Sequence, residues 1–92
     1  MIHFIVHAKQ DNVAVAVTDV KKDQQLTGWN METDETLRLT AAQDIPLGHK
    51  IALVPVAAGE QVIKYNAPIG NATGAISPGE HVHTHNLKTA RW

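Results

Sequence analysis

Apolar and polar residues alternate with a period of two along much of this chain, and β-branched residues fill many of the apolar positions. Successive side chains of an extended strand point to opposite faces, so this period indicates strands rather than helices. Valine and alanine alternate over residues 13–17, and Leu37 and Leu39 flank the polar Arg38. The alanines between the valines indicate a strand that is packed on both faces.

Turn signals recur along the chain at intervals of roughly ten residues. Examples are Ile45-Pro46-Leu47-Gly48 and Ser77-Pro78-Gly79-Glu80, where Pro and Gly suit the two central positions of a tight turn. No internal repeat is evident. The sequence therefore predicts an all-β fold of short strands. Its predicted core residues are Val13, Val15, Val17, Leu37, Leu39, Ile51, Leu53, Val62 and Ile63.

Length and composition narrow the class of protein. The 92 residues predict one domain over 1–92, with a core over 1–86 and a C-terminal tail over 87–92. Eight basic and nine acidic residues give a net charge of −1 with no evident basic cluster, so we expect no nucleic-acid partner. There is no cysteine, so neither disulfides nor thiolate chemistry are expected. No apolar run reaches the ~20 residues of a membrane span, so we expect a cytoplasmic protein without a membrane partner.

Three histidines at two-residue spacing form the strongest chemical signal. If residues 79–86 are extended, His81, His83 and His85 line one face of a strand. Imidazole is the commonest metal ligand and transfers protons near neutral pH. The row is therefore a candidate metal or catalytic site. Two alternatives stay open, a solvated strand face and a purification tag.

Several motifs occur in a fixed order and together resemble a known family. They are Asp11–Ala16, Ile45–Leu53, Val62–Tyr65, Ile69–Gly70 and Gly79–Asn86. In this order they resemble the N-terminal part of the altronate and galactarate dehydratase family, a SAF-type domain with the β-clip fold. The family commonly has glycine where this chain has Asn66, and Asn also accepts the positive φ of a turn. The organisation is similar to the small subunit of sulfolactate sulfo-lyase and to split altronate dehydratases.

The resemblance implies a reaction, a partner and a cofactor. The family eliminates water, or sulfite in the sulfo-lyase, from a small hydroxy acid to give a 2-keto acid. It implies a large dehydratase-like catalytic subunit as partner and a divalent metal, Fe²⁺ or Mn²⁺. Self-association of the chain is left open, as are two further functions: a sulfite-releasing lyase subunit in place of a water-releasing one, and a non-catalytic binding or assembly module.

The resemblance also implies roles for individual residues. The metal ligands would be His81, His83 and His85, and the catalytic candidates are His83, His85 and His49. Lys50 and Lys64 are the candidates for binding a substrate carboxylate. For His49 the alternative is a structural histidine within a turn, and for each lysine it is a solvated strand residue.

Three other ring-bearing side chains are expected to be outside the site. Tyr65 is predicted to be a packing residue with a hydrogen-bonded hydroxyl group. His3 and His7 are expected at the surface or on an edge strand.

Overall fold

Short β-branched runs separated by turns form nine strands in a computed structural model of the chain, which describes residues 1–89. The strands are β1 (Phe4–Val6), β2 (Val13–Ala16), β3 (Gln25–Asn30), β4 (Thr36–Thr40), β5 (Lys50–Ala52), β6 (Gln61–Lys64), β7 (Ala67–Ala72), β8 (His81–Val82) and β9 (Leu87–Thr89). No helix occurs within these residues, so the all-β prediction is confirmed. Nor does this part of the chain hold a helix long and apolar enough to cross a membrane.

The strands form two sheets. The larger has the order β4-β3-β1-β2-β5-β8, in which β1 and β3 are parallel and the other neighbours are antiparallel. The smaller has the order β6-β7-β9 and is antiparallel. The Asn12 side chain ties the two together, because it accepts the Ile63 N–H (2.7 Å) and donates to the Gln61 carbonyl (3.0 Å).

The predicted C-terminal tail is wrong in its first part. Leu87–Thr89 pairs with β7 as strand β9, and the Leu87 side chain packs against buried residues. The sequence pattern did not indicate this strand, because Leu87 is its only apolar residue and is followed by a lysine and a threonine. The remaining predicted tail residues, 90–92, lie outside the described residues.

One turn geometry occurs four times in the structure. Each copy begins and ends at a buried aliphatic residue, six positions apart. We name the copies turn I (residues 20–26), turn II (45–51), turn III (56–62) and turn IV (76–82). The fourth residue of each has positive φ: 71° at Asp23, 85° at Gly48, 85° at Gly59 and 86° at Gly79. The N–H of the fifth residue donates to the carbonyl of the second, as in a type II turn.

Each turn is fixed to a buried alanine by the same pair of hydrogen bonds. The N–H of the positive-φ residue donates to the alanine carbonyl (2.8 Å in all four), and the alanine N–H donates to the carbonyl of the next turn residue (2.9 Å in all four). The four alanines, in turn order, are Ala41, Ala16, Ala72 and Ala52. Backbone bridges then join turn I to turn II and turn III to turn IV. The structure therefore contains a recurring unit, and the expectation of no repeat is wrong at this level.

Two apolar clusters form the core, one for each pair of turns. The first contains the buried ends of turns I and II with Phe4, Val6 and Leu26. The second contains the buried ends of turns III and IV with Val13 and Ala72. Burial of these side chains removes apolar surface from water, which is the main favourable term in folding.

The predicted core is confirmed in part. Val13, Ile51 and Val62 are buried, at 0–1% exposure. Five predicted members are only half-buried: Val15, Leu37, Leu39, Leu53 and Ile63. The prediction that Val17 is a core residue is wrong, because 38% of its surface is exposed. On β2 the buried positions include Ala14 and Ala16, since the close approach of turn II to Ala16 favours a small side chain there.

Candidate functional site

His49 occupies a position that caps the turn in the other three copies. In turns I, III and IV the fifth residue is Gln24, Glu60 or Glu80, and its Oε1 accepts the backbone N–H of the second residue at 2.9–3.0 Å. In turn II the second residue is Pro46, which has no N–H to donate. In turn II the side chain of the fifth residue therefore has no backbone N–H to cap, and it can form other contacts.

The His49 side chain contacts His81. Its Nδ1 lies 2.8 Å from the Nε2 of His81, which is a hydrogen-bond distance, so one of the two nitrogens carries a hydrogen and the other accepts the bond. Strands β5 and β8 are antiparallel neighbours, with Ile51 opposite His81, and this register brings the two rings together. The His49 side chain is therefore hydrogen-bonded between two strands and not within its own turn.

The three C-terminal histidines do not share one strand. Strand β8 ends at Val82, and residues 83–86 form a turn. The Asn86 side chain holds this turn: its Oδ1 accepts the His83 N–H (2.9 Å) and its Nδ2 donates to the His81 carbonyl (2.8 Å). The predicted extended face over residues 79–86 is therefore wrong, because Asn86 offers His83 a local hydrogen-bond partner in place of strand pairing.

The turn nevertheless gathers the rings into one group, which we call the histidine cluster: His49, His81, His83 and His85. The His83 ring stacks on His49, with centroids 4.2 Å apart and planes at 22°. The His81 ring lies 5.5 Å from His83 and 5.2 Å from His85. Four imidazoles so close together resist simultaneous protonation, since like charges repel at these distances.

The environment of the cluster keeps two of its members neutral. Burial, and then the neighbouring His49, His85 and His83, lowers the pKa of His81 below 6.5. Desolvation, and then His49, Lys50 and His85, lowers the pKa of His83 below the same value. Neutral imidazole is the form that ligates metals and accepts protons. Both residues therefore have the protonation state that either role requires at neutral pH.

Three cluster residues could hold a metal ion. One nitrogen from each of His49, His81 and His83 lies within 4.8 Å of the others. Imidazole nitrogen is a suitable ligand for divalent iron and manganese, and the neutral state favours coordination. The residues therefore fit a divalent metal but supply only part of a coordination shell. His85, predicted as a ligand, lies beside this trio rather than in it.

Lys50 interacts electrostatically with both the histidine cluster and Lys64. It is close enough to lower the pKa of His83, where it acts after desolvation and His49. The pKa of Lys64 is lowered as well, first by burial and then by Lys50, against the opposing effect of Asp11. The structure therefore brings both predicted substrate-binding lysines to one region, and both are half-buried rather than fully solvated.

His81 also lines a groove of about 490 Å³ between turns I and II, whose other charged lining residues are Asp19, Lys21 and Asp44. Each carboxylate caps the neighbouring turn: Asp19 accepts the Leu47 N–H (2.9 Å) and Asp44 accepts the Lys22 N–H (2.7 Å). The groove beside the histidine cluster therefore contains charges of both signs.

Sequence reasoning missed the residues that shape the site. Asn86 fixes the turn that carries His83, and Gln43 Oε1 accepts the His81 N–H at 2.9 Å. The spacing of His83 and Asn86 is a signal for a turn, because Asn side chains favour local hydrogen bonds to the backbone. Pro46, three residues before His49, is the signal that the His49 side chain does not cap its turn. Gln43 carries no local signal.

Comparison with known proteins agrees with the family resemblance that the ordered sequence motifs indicated. The altronate/galactarate dehydratase SAF domain family matches residues 2–90. The chain belongs to this family. The predicted resemblance is therefore confirmed over nearly the whole sequence.

Relatives fall into two groups of lyases. The chain is 48% identical over 92 residues to the protein named (2R)-sulfolactate sulfo-lyase subunit alpha of Chromohalobacter salexigens, covering 99% of this chain and 98% of that protein. It is 58% identical over 55 residues to the subunit of the same name from Paracoccus pantotrophus, covering 60% of this chain and 82% of the relative. The altronate dehydratase of Bacillus subtilis is 40% identical over 89 residues, covering 97% of this chain. The chain spans only 17% of that dehydratase.

Proposed function

We propose that this chain is the small subunit of a two-chain lyase that eliminates sulfite from a small sulfonated hydroxy acid of the sulfolactate type. The observation that carries the proposal is the 48% identity to a sulfo-lyase subunit alpha across 98% of that subunit's length. A relative named as subunit alpha belongs to an enzyme of more than one chain.

The reaction is a β-elimination. A base removes the proton from the carbon beside the carboxylate, and the carbon–sulfur bond breaks as its electron pair leaves with sulfite. The resulting enol tautomerises to the 2-keto acid, which is pyruvate when the substrate is sulfolactate. His83 and His85 are exposed members of the histidine cluster and can reach a substrate between the two chains. His85 lies outside the trio that could hold a metal, so its imidazole is the one left free to act as the base.

A divalent metal, Fe²⁺ or Mn²⁺, belongs to the proposal. His49, His81 and His83 would hold it, since one nitrogen of each lies within 4.8 Å of the others. When bound, such an ion stabilises the negative charge that develops on the substrate as the proton leaves. The remaining ligands must come from water, substrate or the large subunit, because three imidazoles do not complete the shell of either ion.

The large subunit supplies most of the active site in this proposal. The described residues form a thin two-sheet structure, and the histidine cluster lies at its surface rather than in an enclosed cavity. Small-molecule sites usually bury most of their ligand. We therefore expect the isolated chain to lack lyase activity and to gain it with a large dehydratase-like subunit.

Loss of water from a sugar acid is the second candidate. It is supported by 40–42% identity over 89 residues to two altronate dehydratases, from Bacillus subtilis and Escherichia coli. The chemistry differs only in the leaving group, hydroxide in place of sulfite. A non-catalytic assembly module is the third, and it predicts that no histidine of the cluster contributes to the rate.

One experiment separates the three candidates. The chain is combined with the large subunit, and keto-acid and sulfite formation are measured with sulfolactate, altronate and galactarate. Sulfite release from sulfolactate supports the leading proposal, and turnover of only the sugar acids supports the second. Replacement of His83 or His85 by Ala should lower kcat by ~10²–10⁴, the value of a general acid or base. The matched control is Thr84→Ala, an exposed change between them. Wild-type rates in both histidine variants would leave only the assembly module.

A further inference from the structure

Tyr65 has a backbone conformation that its side chain disfavours. It forms with Asn66 the two-residue turn between β6 and β7, where Lys64 pairs with Ala67. Both turn residues have positive φ, 56° at Tyr65 and 58° at Asn66, as in a type I′ turn. Asn and Gly suit these positions, whereas a bulky aromatic residue there is a genuine outlier. Such strain persists when something other than the turn itself requires the residue.

The turn does not need Tyr65 for its stability. Asn66 holds the turn from the other sheet, because its N–H donates to Asp11 Oδ1 (2.8 Å) and its Oδ1 accepts the Gln10 N–H (2.9 Å). The Tyr65 side chain is 62% exposed, so the prediction that it is a packing residue is wrong. An aromatic ring that is strained at its backbone and open to solvent indicates a binding role.

The ring of Tyr65 lies between two cationic or titratable groups. One face stacks on His7, with centroids 4.3 Å apart and planes at 18°. The Lys64 ammonium lies 4.3 Å from the ring centroid in a cation–π contact. His7 is half-buried rather than at the surface, and its Nδ1 is buried without a hydrogen-bond partner among the described residues. In the stacked arrangement the His7 Nδ1 is therefore not hydrated, and the backbone of Tyr65 is strained.

Lys50 and Asp11 are both near enough to Lys64 to affect the pKa of its ammonium group, in opposite directions. The two lysines influence each other, because Lys50 is the second cause, after burial, of the lowered pKa of Lys64. A half-buried ammonium group that rests on an aromatic face is stabilised by a bound anion. The sulfonate and the carboxylate of a sulfonated hydroxy acid are both anions of this kind.

We propose that Tyr65 is a positioning residue whose ring, seated on His7, fixes the Lys64 ammonium in an anion subsite. The occupant is one acidic group of the substrate, a sulfonate or a carboxylate. The assignment to substrate rests on the proposed lyase function, whereas the anion subsite itself does not. A carboxylate side chain of the large subunit has the same chemistry, and the experiment below distinguishes the two sources.

The subsite is tested on the full chain without a partner. Amide chemical shifts of ¹⁵N-labelled protein are followed during titration with methanesulfonate and acetate at constant ionic strength. We expect saturable shifts at Lys64 and Tyr65 in the wild type and in Tyr65→Phe, which keeps the ring. Tyr65→Asn should weaken binding about three- to tenfold, the size of one cation–π contact. Lys64→Met should weaken it at least as much. No saturable shift, or equal affinity in all variants, would overturn the subsite.

A stability measurement separates positioning from a structural role. Asn suits the positive φ at position 65, so the denaturation midpoint of Tyr65→Asn should equal or exceed that of the wild type. A residue needed for the fold would give the opposite result, with a lower midpoint in Tyr65→Asn and restored folding in Tyr65→Phe. A binding loss that only follows this lower midpoint would contradict the proposal.

The source of the anion is tested in the assembled enzyme. If the occupant is substrate, Tyr65→Asn raises KM about three- to tenfold, leaves kcat within about twofold and leaves subunit affinity unchanged. If the large subunit supplies the anion, the same variant weakens assembly and leaves KM unchanged, which would overturn the assignment to substrate. The absence of turnover by the wild-type complex would contradict the lyase proposal alone, because the titration requires no turnover.

Discussion

The Nδ1 of His49 lies 2.8 Å from the Nε2 of His81, although 32 positions separate the two residues in the sequence. The contact exists because two copies of one turn geometry, turn II and turn IV, deliver their fifth and sixth residues to neighbouring strands β5 and β8. In turn II the second residue is proline, so its fifth side chain is free of the capping role. Turn II thus contributes to the candidate site because it has proline at its second position and histidine at its fifth.

His49→Gln should separate function from folding. The His49 side chain does not cap turn II but is hydrogen-bonded to His81, so we expect the free energy of unfolding to fall by about 1 kcal/mol, the contribution of one hydrogen bond. We expect kcat of the assembled enzyme to fall by ~10²–10⁴ if His49 contributes a ligand or proton transfer. Denaturant unfolding and keto-acid formation provide the two measurements.

The matched control is Glu60→Ala at the equivalent position of turn III. Glu60 accepts the Ala57 N–H at 2.9 Å and is exposed, so its loss should lower stability by up to ~1 kcal/mol without an effect on activity. A His49→Gln variant that is less stable than Glu60→Ala and fully active would refute the functional reading of His49.

Gly79→Ala and Gly59→Ala test the docking of the turns. Both glycines have nearly the same positive φ, 86° and 85°, so both changes carry the same backbone strain of ~1–2 kcal/mol. A Cβ at position 79 would collide with the Thr40 carbonyl, whereas a Cβ at position 59 meets open space. We expect Gly79→Ala to be clearly the more destabilising in urea unfolding. Equal losses would mean that the Thr40 backbone yields to the methyl group.

Ile51→Ala and Val17→Ala test the corrected core. Ile51 is fully buried at the end of turn II, and its truncation should cost ~2–5 kcal/mol of unfolding free energy. Val17 is 38% exposed, and its truncation should cost less than ~1 kcal/mol. Thermal or denaturant unfolding measures both. Similar losses at the two positions would contradict the burial that the structure shows.

Acidification should destabilise the chain below pH 6.5. Folding lowers the pKa of His7 and of His81 from 6.5, in both cases chiefly by burial. The unfolded chain therefore binds more protons than the folded chain below that pH, so this stability is complete above pH 6.5 and is lost as the pH falls. We expect the urea midpoint to decline between pH 7 and pH 5, and His81→Gln to reduce the slope. A midpoint that is constant or rises over this range would show that burial does not lower these pKa values.

The sequence by itself determined the fold class, the family and most of the residues that gather at the site. Period-two alternation and dense turn signals are local properties, and they correctly indicated an all-β chain. The ordered motifs identified the SAF domain family. Asn66 has the positive φ that its side chain allowed us to predict, at 58°. The expectation that Asn66 preserves this turn in place of glycine is a local argument, and the structure agrees with it.

Only the tertiary structure decided which histidines meet and which valines are buried. The spacing of His81, His83 and His85 predicted one strand face, but the Asn86 hydrogen bonds turn the chain after Val82. His49 joined the cluster through strand pairing between β5 and β8, which no local pattern encodes. The physical reason is common to these cases. Burial and ring contacts depend on which turns approach each other, and that approach is set by backbone hydrogen bonds between residues far apart in the sequence.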